Sequence, residues 1–203
     1  MPMRFAVPPV LAAVLLALTS MPALADPSAA DLAKATQAIA ALSAYDWSVG
    51  DADELVRRVV TASSADSLQT LARGGEKRAE TLLGIALAYG AGGFVADDDV
   101  SVKMLKAAAD QNFPSAQVML GFMYESGRGG LVRDLRQAAN LYEKAADQGD
   151  AGGQLYLGDM YYAGVGGRPR DRDKALKLFQ QSAAQGDKQA IQKLLALGKA
   201  DRT

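Results

Sequence analysis

The apolar positions of residues 115–150 fall into two separate stripes. Val118, Met119, Phe122 and Met123, with Tyr124 beside them, recur at helical spacing and predict a helix over 115–126. Ala138, Leu141, Tyr142, Ala145 and Ala146 predict a second over 135–147. A glycine-rich polar stretch separates the two. Nowhere does the chain alternate with the period of two that a strand requires. Asp134 precedes the second helix and Gln137 lies three residues on, which predicts a capping box: the aspartate takes a first-turn N–H and the glutamine reaches back to the cap. Gly149 then suits the left-handed conformation that closes a helix, with Gly186 as its counterpart.

The same pattern recurs before and after with a strict step of 37 residues. The step links Gly84, Gly121 and Gly158; Gly90, Gly127 and Gly164; Gly92, Gly129 and Gly166; Asp97, Asp134 and Asp171; and Gln111, Gln148 and Gln185. A fixed period of this length marks a solenoid. It divides the chain into units at 79–114, 115–150 and 151–187. Gly84, Gly121 and Gly158 fall inside predicted helices, where glycine costs about 1 kcal/mol relative to alanine. Their recurrence predicts that another backbone passes too close for a Cβ, an expectation joined by the small residues Ala79, Ala116, Gly153 and Ala190.

Ala116, Leu120, Gly121, Tyr124, Gly127, Gly129, Asp134 and Ala138, followed by Tyr142, Lys144, Ala145, Ala146, Gln148, Gly149 and Asp150, resemble the Sel-1-like repeat, a relative of the tetratricopeptide repeat with a longer glycine-rich turn. The first unit departs most, with Leu87, Ser101 and the pair Asn112 and Phe113 at motif positions. The resemblance implies an all-α fold, a right-handed α-solenoid of helix–turn–helix repeats, and work as an adaptor between other proteins. It also implies that the first helices line the concave face.

The flanks read as helical caps. Residues 26–78 predict helices over 28–45, 51–61 and 64–73, with Trp47 in a turn closed by Gly50. Leu68, Ala72 and Gly75 lie one period before Leu105, Ala109 and Asn112, so the third helix matches the second helix of a degenerate unit. Residues 188–203 repeat a first helix alone and predict a C-terminal cap, with Gln189, Gln192 and Lys193 as a polar outer face. Ahead of all this, Arg4, the apolar run 7–18 and Ala23-Leu24-Ala25 form a secretory leader pattern, cleaved after Ala25. That run is too short and proline-broken to span a membrane. The expected compartment is the periplasm or the exterior, with no stable membrane insertion after cleavage.

Composition narrows the chemistry. Lys and Arg number 22 against 23 Asp and Glu, for a net charge of −1, which does not suggest nucleic acid. The chain has no His and no Cys. Disulfides, His- or Cys-based nucleophilic dyads and zinc sites of the usual kind are therefore out of reach. No Ser has Lys three residues on, so the nucleophile motif of penicillin-recognising enzymes is missing. This bears on cysteine-rich secreted members of the resembled family that have been linked to β-lactam hydrolysis. Gly127-Arg128-Gly129-Gly130 joins two helices, so it reads as a tight turn and not as a dinucleotide loop. Asp97, Asp98 and Asp99 suit a helix start and do not have the spacing of a calcium loop. No cofactor, metal or catalytic residue is expected.

What remains is a surface. Among first-helix positions, 85/122/159 carry Ile, Phe and Asp, and 88/125/162 carry Ala, Glu and Tyr, varying between units as partner-reading residues would. Gln117, Phe122, Glu125, Gln154, Asp159 and Tyr162 form the candidate partner-binding patch. The expected function is non-enzymatic: a periplasmic adaptor or regulator of an envelope process that takes a protein or peptide on its concave face. A cell-wall or β-lactam hydrolase and a self-associating structural module are the alternatives.

Overall fold

A computed structural model describes residues 27–42 and 52–200. The leader, the Trp47 turn and the tail 201–203 lie outside the described residues. Among the described residues ten α-helices follow one another: α1 Ala29–Ala40, α2 Ala52–Ala62, α3 Ala65–Arg73, α4 Lys77–Tyr89, α5 Asp98–Asp110, α6 Pro114–Ser126, α7 Leu135–Asp147, α8 Ala151–Ala163, α9 Arg172–Ala184 and α10 Lys188–Ala200. A single 3₁₀ turn, Ala91–Gly93, follows α4, and no strand occurs among the described residues. The pairs α4/α5, α6/α7 and α8/α9 are the three units. Each pair packs antiparallel and then against the next, making an all-α solenoid. First helices of neighbouring units touch, α4 with α6 and α6 with α8, whereas the second helices are more widely splayed. The first helices therefore line the inner side of the curve.

One bond pattern sets each unit's shape. The N–H of Asp97, Asp134 and Asp171 donates to the carbonyl of Leu87, Tyr124 and Tyr161, each at 2.9 Å. This pins the start of the second helix to the end of the first. It also corrects the expected capping box. Asp134 Oδ1 does accept from the N–H groups of Arg136 and Gln137, at 2.9 and 3.0 Å. The return bond from Gln137 does not form, because the cap's own N–H is already given to Tyr124.

The recurrent helical glycines face side chains rather than a backbone, which corrects a second expectation. A Cβ on Gly121 would lie 2.6 Å from Tyr142 Cε1, one on Gly158 2.6 Å from Phe179 Cε1, and one on Gly84 2.8 Å from Leu105 Cγ. Each first helix thus takes a fully buried side chain of its own second helix against a bare Cα, an aromatic ring in the second and third units and Leu105 in the first. Gly153 does meet backbone: a Cβ there would come 2.6 Å from the nitrogen of Ala146.

The turn glycines dock each unit on the one before. A Cβ on Gly129 would meet the carbonyl oxygen of Asp98 at 2.6 Å, and one on Gly166 that of Leu135 at 2.6 Å. In both cases the neighbour is the second helix of the preceding unit. At Gly92 the corresponding neighbours are Val56 and Val60 of α2. The N-terminal cap therefore imitates a second helix with two pieces: α2 receives the turn and α3 carries the buried Leu68 and Ala72. Ser64 separates them and caps α3 by accepting from the N–H of Ser67 at 3.1 Å.

Asn112 holds the left-handed place that Gly75, Gly149 and Gly186 hold in the other units, with φ 58°. Asparagine tolerates this conformation better than other side-chain residues. Replacing Asn112 with Ala is expected to cost about 1–2 kcal/mol from the left-handed backbone, and to lose a bond from Gln117. Asn112→Gly keeps the backbone conformation and should cost less. Urea unfolding of the two variants measures the difference, and equal losses would place the effect in the side-chain bond alone.

Candidate partner-binding face

The inner face is built from α6 and α8. Proline at the first position of α6 and Asp150 capping α8, accepting from Gly153 N–H at 2.8 Å, start the two helices. Both end at left-handed glycines, Gly127 and Gly164. Side chains 122 and 125 of α6 and 159 and 162 of α8 then share one side.

Phe122 and Glu125 are half-buried there. Glu125 Oε2 accepts a hydrogen bond from the Tyr142 hydroxyl at 2.8 Å. Burial, and then the charge and bond of Glu125, push the Tyr142 phenol far above its usual range, so its proton stays in place. Asp159 is half-buried and pairs with Lys193 of α10 at 2.8 Å. Burial raises its carboxyl against the pull of that ammonium. Tyr162 is 36% exposed.

The remaining two residues of the predicted patch have internal partners. Gln117 is 2% exposed and Gln154 7%. The Gln117 side-chain oxygen accepts from Gln148 Nε2 at 2.8 Å, and that of Gln154 from Gln185 Nε2 at 2.8 Å. The Gln117 amide nitrogen also donates to Asn112 Oδ1 at 2.9 Å. One unit earlier, Gln111 Nε2 donates to Glu80 Oε2 at 2.7 Å. The bonds from Gln111, Gln148 and Gln185 form a ladder that ties the end of each second helix to its own first helix, and the Gln117 bond to Asn112 reaches the preceding unit.

Two residues join the face that the sequence pattern did not single out. Tyr156 is half-buried and stacks on Tyr142, with ring centroids 5.1 Å apart and planes inclined by 24°. Burial pushes its phenol up to about 12. The signal was available: Tyr156 lies three residues before Asp159, on the same side of α8. Lys193 was expected on the polar outer face of the cap, yet it turns inward to Asp159 and over the Phe179 ring, 5.8 Å from its centre. On that outer side Ile191 and Leu195 are instead 40% and 61% exposed. Among the described residues no group of three or more acidic side chains gathers as a metal site would require. No described helix is long and apolar enough to cross a membrane.

The Sel1 repeat profile matches three consecutive segments, 77–113, 114–150 and 151–187, more than half of the chain. The chain belongs to the Sel1 repeat family. Proteins of this family generally serve as protein–protein interaction modules and are typically scaffolds without enzymatic activity. Among the solved structures that resemble this Sel1 protein, a Sel1 repeat protein from Oxalobacter formigenes is 33% identical with a TM-score of 0.55, the match covering 64% of this chain and 95% of that one. The cysteine-rich protein B (HcpB) of Helicobacter pylori is 27% identical with a TM-score of 0.51, covering 64% of this chain and 96% of its own. This Sel1 chain has no cysteine. Its repeats are held by stacking, the glutamine ladder and the turn contacts. Among curated proteins none matches the chain.

Proposed function

We propose that this Sel1 protein is a non-enzymatic adaptor or regulator of an envelope process, working in the periplasm or outside the cell. It docks a protein or extended peptide on the inner face of its first helices. The observation that carries the reading is the half-buried Phe122 and the exposed Tyr162 on the inner face, set beside the half-buried Glu125, Tyr156 and Asp159. Aromatic side chains of this kind bury large area at low entropic cost and anchor interfaces. The leader pattern of residues 1–25 supports the compartment.

The test is crosslinking of the tagged protein in its native envelope, read by mass spectrometry. One dominant partner is expected. Phe122→Ala combined with Tyr162→Ala should weaken that complex by about 2 kcal/mol or more, roughly thirtyfold in affinity. Undiminished binding by the double variant would remove the inner face from the reading. Self-association is the second reading, favoured by the exposed Ile191 and Leu195 on α10. Light scattering across concentrations separates it from a monomeric adaptor.

A further inference from the structure

Six of the twelve arginines lie in the turns of the second and third units or in the first two residues of the helices that follow: Arg128, Arg133, Arg136, Arg168, Arg170 and Arg172. Two of them are spent within the fold. Arg128 pairs with Asp98 at 2.6 Å and donates to the carbonyl of Ala88, and Arg168 pairs with Glu143 at 2.8 Å. Three others point elsewhere. Arg133, Arg136 and Arg170 are exposed and pair with no carboxylate among the described residues; Arg133 donates its Nε to the Glu125 carbonyl at 3.0 Å. Arg133 and Arg170 hold the same place one unit apart, each behind an exposed apolar residue, Val132 at 84% and Pro169. Arg136 lies along Gly167 of the next turn, a glycine three residues before Arg170 in the chain. Of the nearby carboxylates, Asp134 and Asp171 are fixed by helix N–H groups, while Asp173 and Asp99, the latter beside Gly130, are exposed.

We infer that this arginine edge is a second docking surface, and that its occupant is an extended acidic segment of a partner protein. Guanidinium groups bind carboxylates through paired, geometrically defined hydrogen bonds. The turns hold their positions rigidly: the left-handed glycines and the bonds from Asp134 and Asp171 N–H to Tyr124 and Tyr161 fix both ends of each turn. Since α6 and α8 touch, Arg133 and Arg170 repeat at about 10 Å, the spacing of packed helices. About three residues of a polyproline II segment span that distance, and its three-residue turn brings every third side chain to the same side. Carboxylates three apart on the partner therefore match the strip. A flat anionic membrane fits less well. A plane laid on this edge would also meet the first unit's turn, where Asp97 and Asp99 are exposed and Ala96 stands in place of an arginine.

The inference shares with the proposed function only that the partner is a protein, and it concerns a different surface. Its test is a titration of the full chain with a labelled peptide carrying glutamate at every third position, followed by fluorescence anisotropy. Binding is expected, and it should weaken steeply with salt. Arg133→Gln with Arg170→Gln should lower affinity at least about tenfold, as expected for charge-assisted contacts. Lys103→Gln with Lys177→Gln, which removes the same charge from exposed sites elsewhere, should leave affinity unchanged, as should the Phe122/Tyr162 double variant. Equal loss in the lysine control would reduce the effect to net charge and overturn the docking surface. So would absence of peptide binding at low salt, or tighter binding to phosphatidylglycerol vesicles than to the peptide. None of these results touches the inner-face reading, which stands or falls on the crosslinking experiment.

Discussion

Replacing Glu80 with Gln should stabilise the protein by up to about 3 kcal/mol near pH 8 and by little near pH 5. Glu80 is 1% exposed and occupies the ladder position that Gln117 and Gln154 occupy in the later units. Burial, with the Glu76 carboxylate adding to it, raises its carboxyl from 4.5 to about 7. Between those values the folded chain holds a proton that the unfolded chain has released. Stability therefore falls as pH rises through this window and levels off above about 7. A glutamine at this position accepts from Gln111 in the same way and carries no charge. The unfolding midpoint should rise by roughly 6–12 °C near pH 8, taking the usual 2–4 °C per kcal/mol for chains of this size. Thermal unfolding followed by circular dichroism at the two pH values decides it. The same difference at both would show that Glu80 is not the titrating group.

Gly121→Leu should cost about 3 kcal/mol or more, and lower the midpoint by some 6–12 °C, despite leucine's better helix propensity. The new Cβ alone would sit 2.6 Å from the Tyr142 ring. That ring is fully buried, stacked on Tyr156 and bonded to Glu125, so it cannot swing away. Relief should come only from the partner. In a Tyr142→Ala background the leucine enters the space the ring left, and the two losses should fall short of their sum by about 1–3 kcal/mol. Strictly additive losses would mean that the glycine is kept for some reason other than this contact.

The repeat length, the helices and the turns were legible in the sequence because each rests on what a residue type can do alone. Glycine reaches left-handed backbone, aspartate caps a helix start, and apolar residues 3–4 apart make one face. The period of 37 then carried those local rules through three units, and they survived even where Asn112 replaced a glycine. What occupies the space around a side chain was decided by stacking. That Gly121 faces a ring 21 positions later, that Gln117 and Gln154 are held internally by Gln148 and Gln185, and that α2 and α3 together stand in for one second helix all depend on which surfaces the solenoid brings into contact. The same holds for the two proposed surfaces. Variation between units marked Phe122, Glu125, Asp159 and Tyr162, but a polar residue that varies, or a charged one in a turn, reads alike whether it bonds a neighbour or faces solvent. Only the packed array separates Arg128 and Arg168, paired within the fold, from Arg133, Arg136 and Arg170 on its surface.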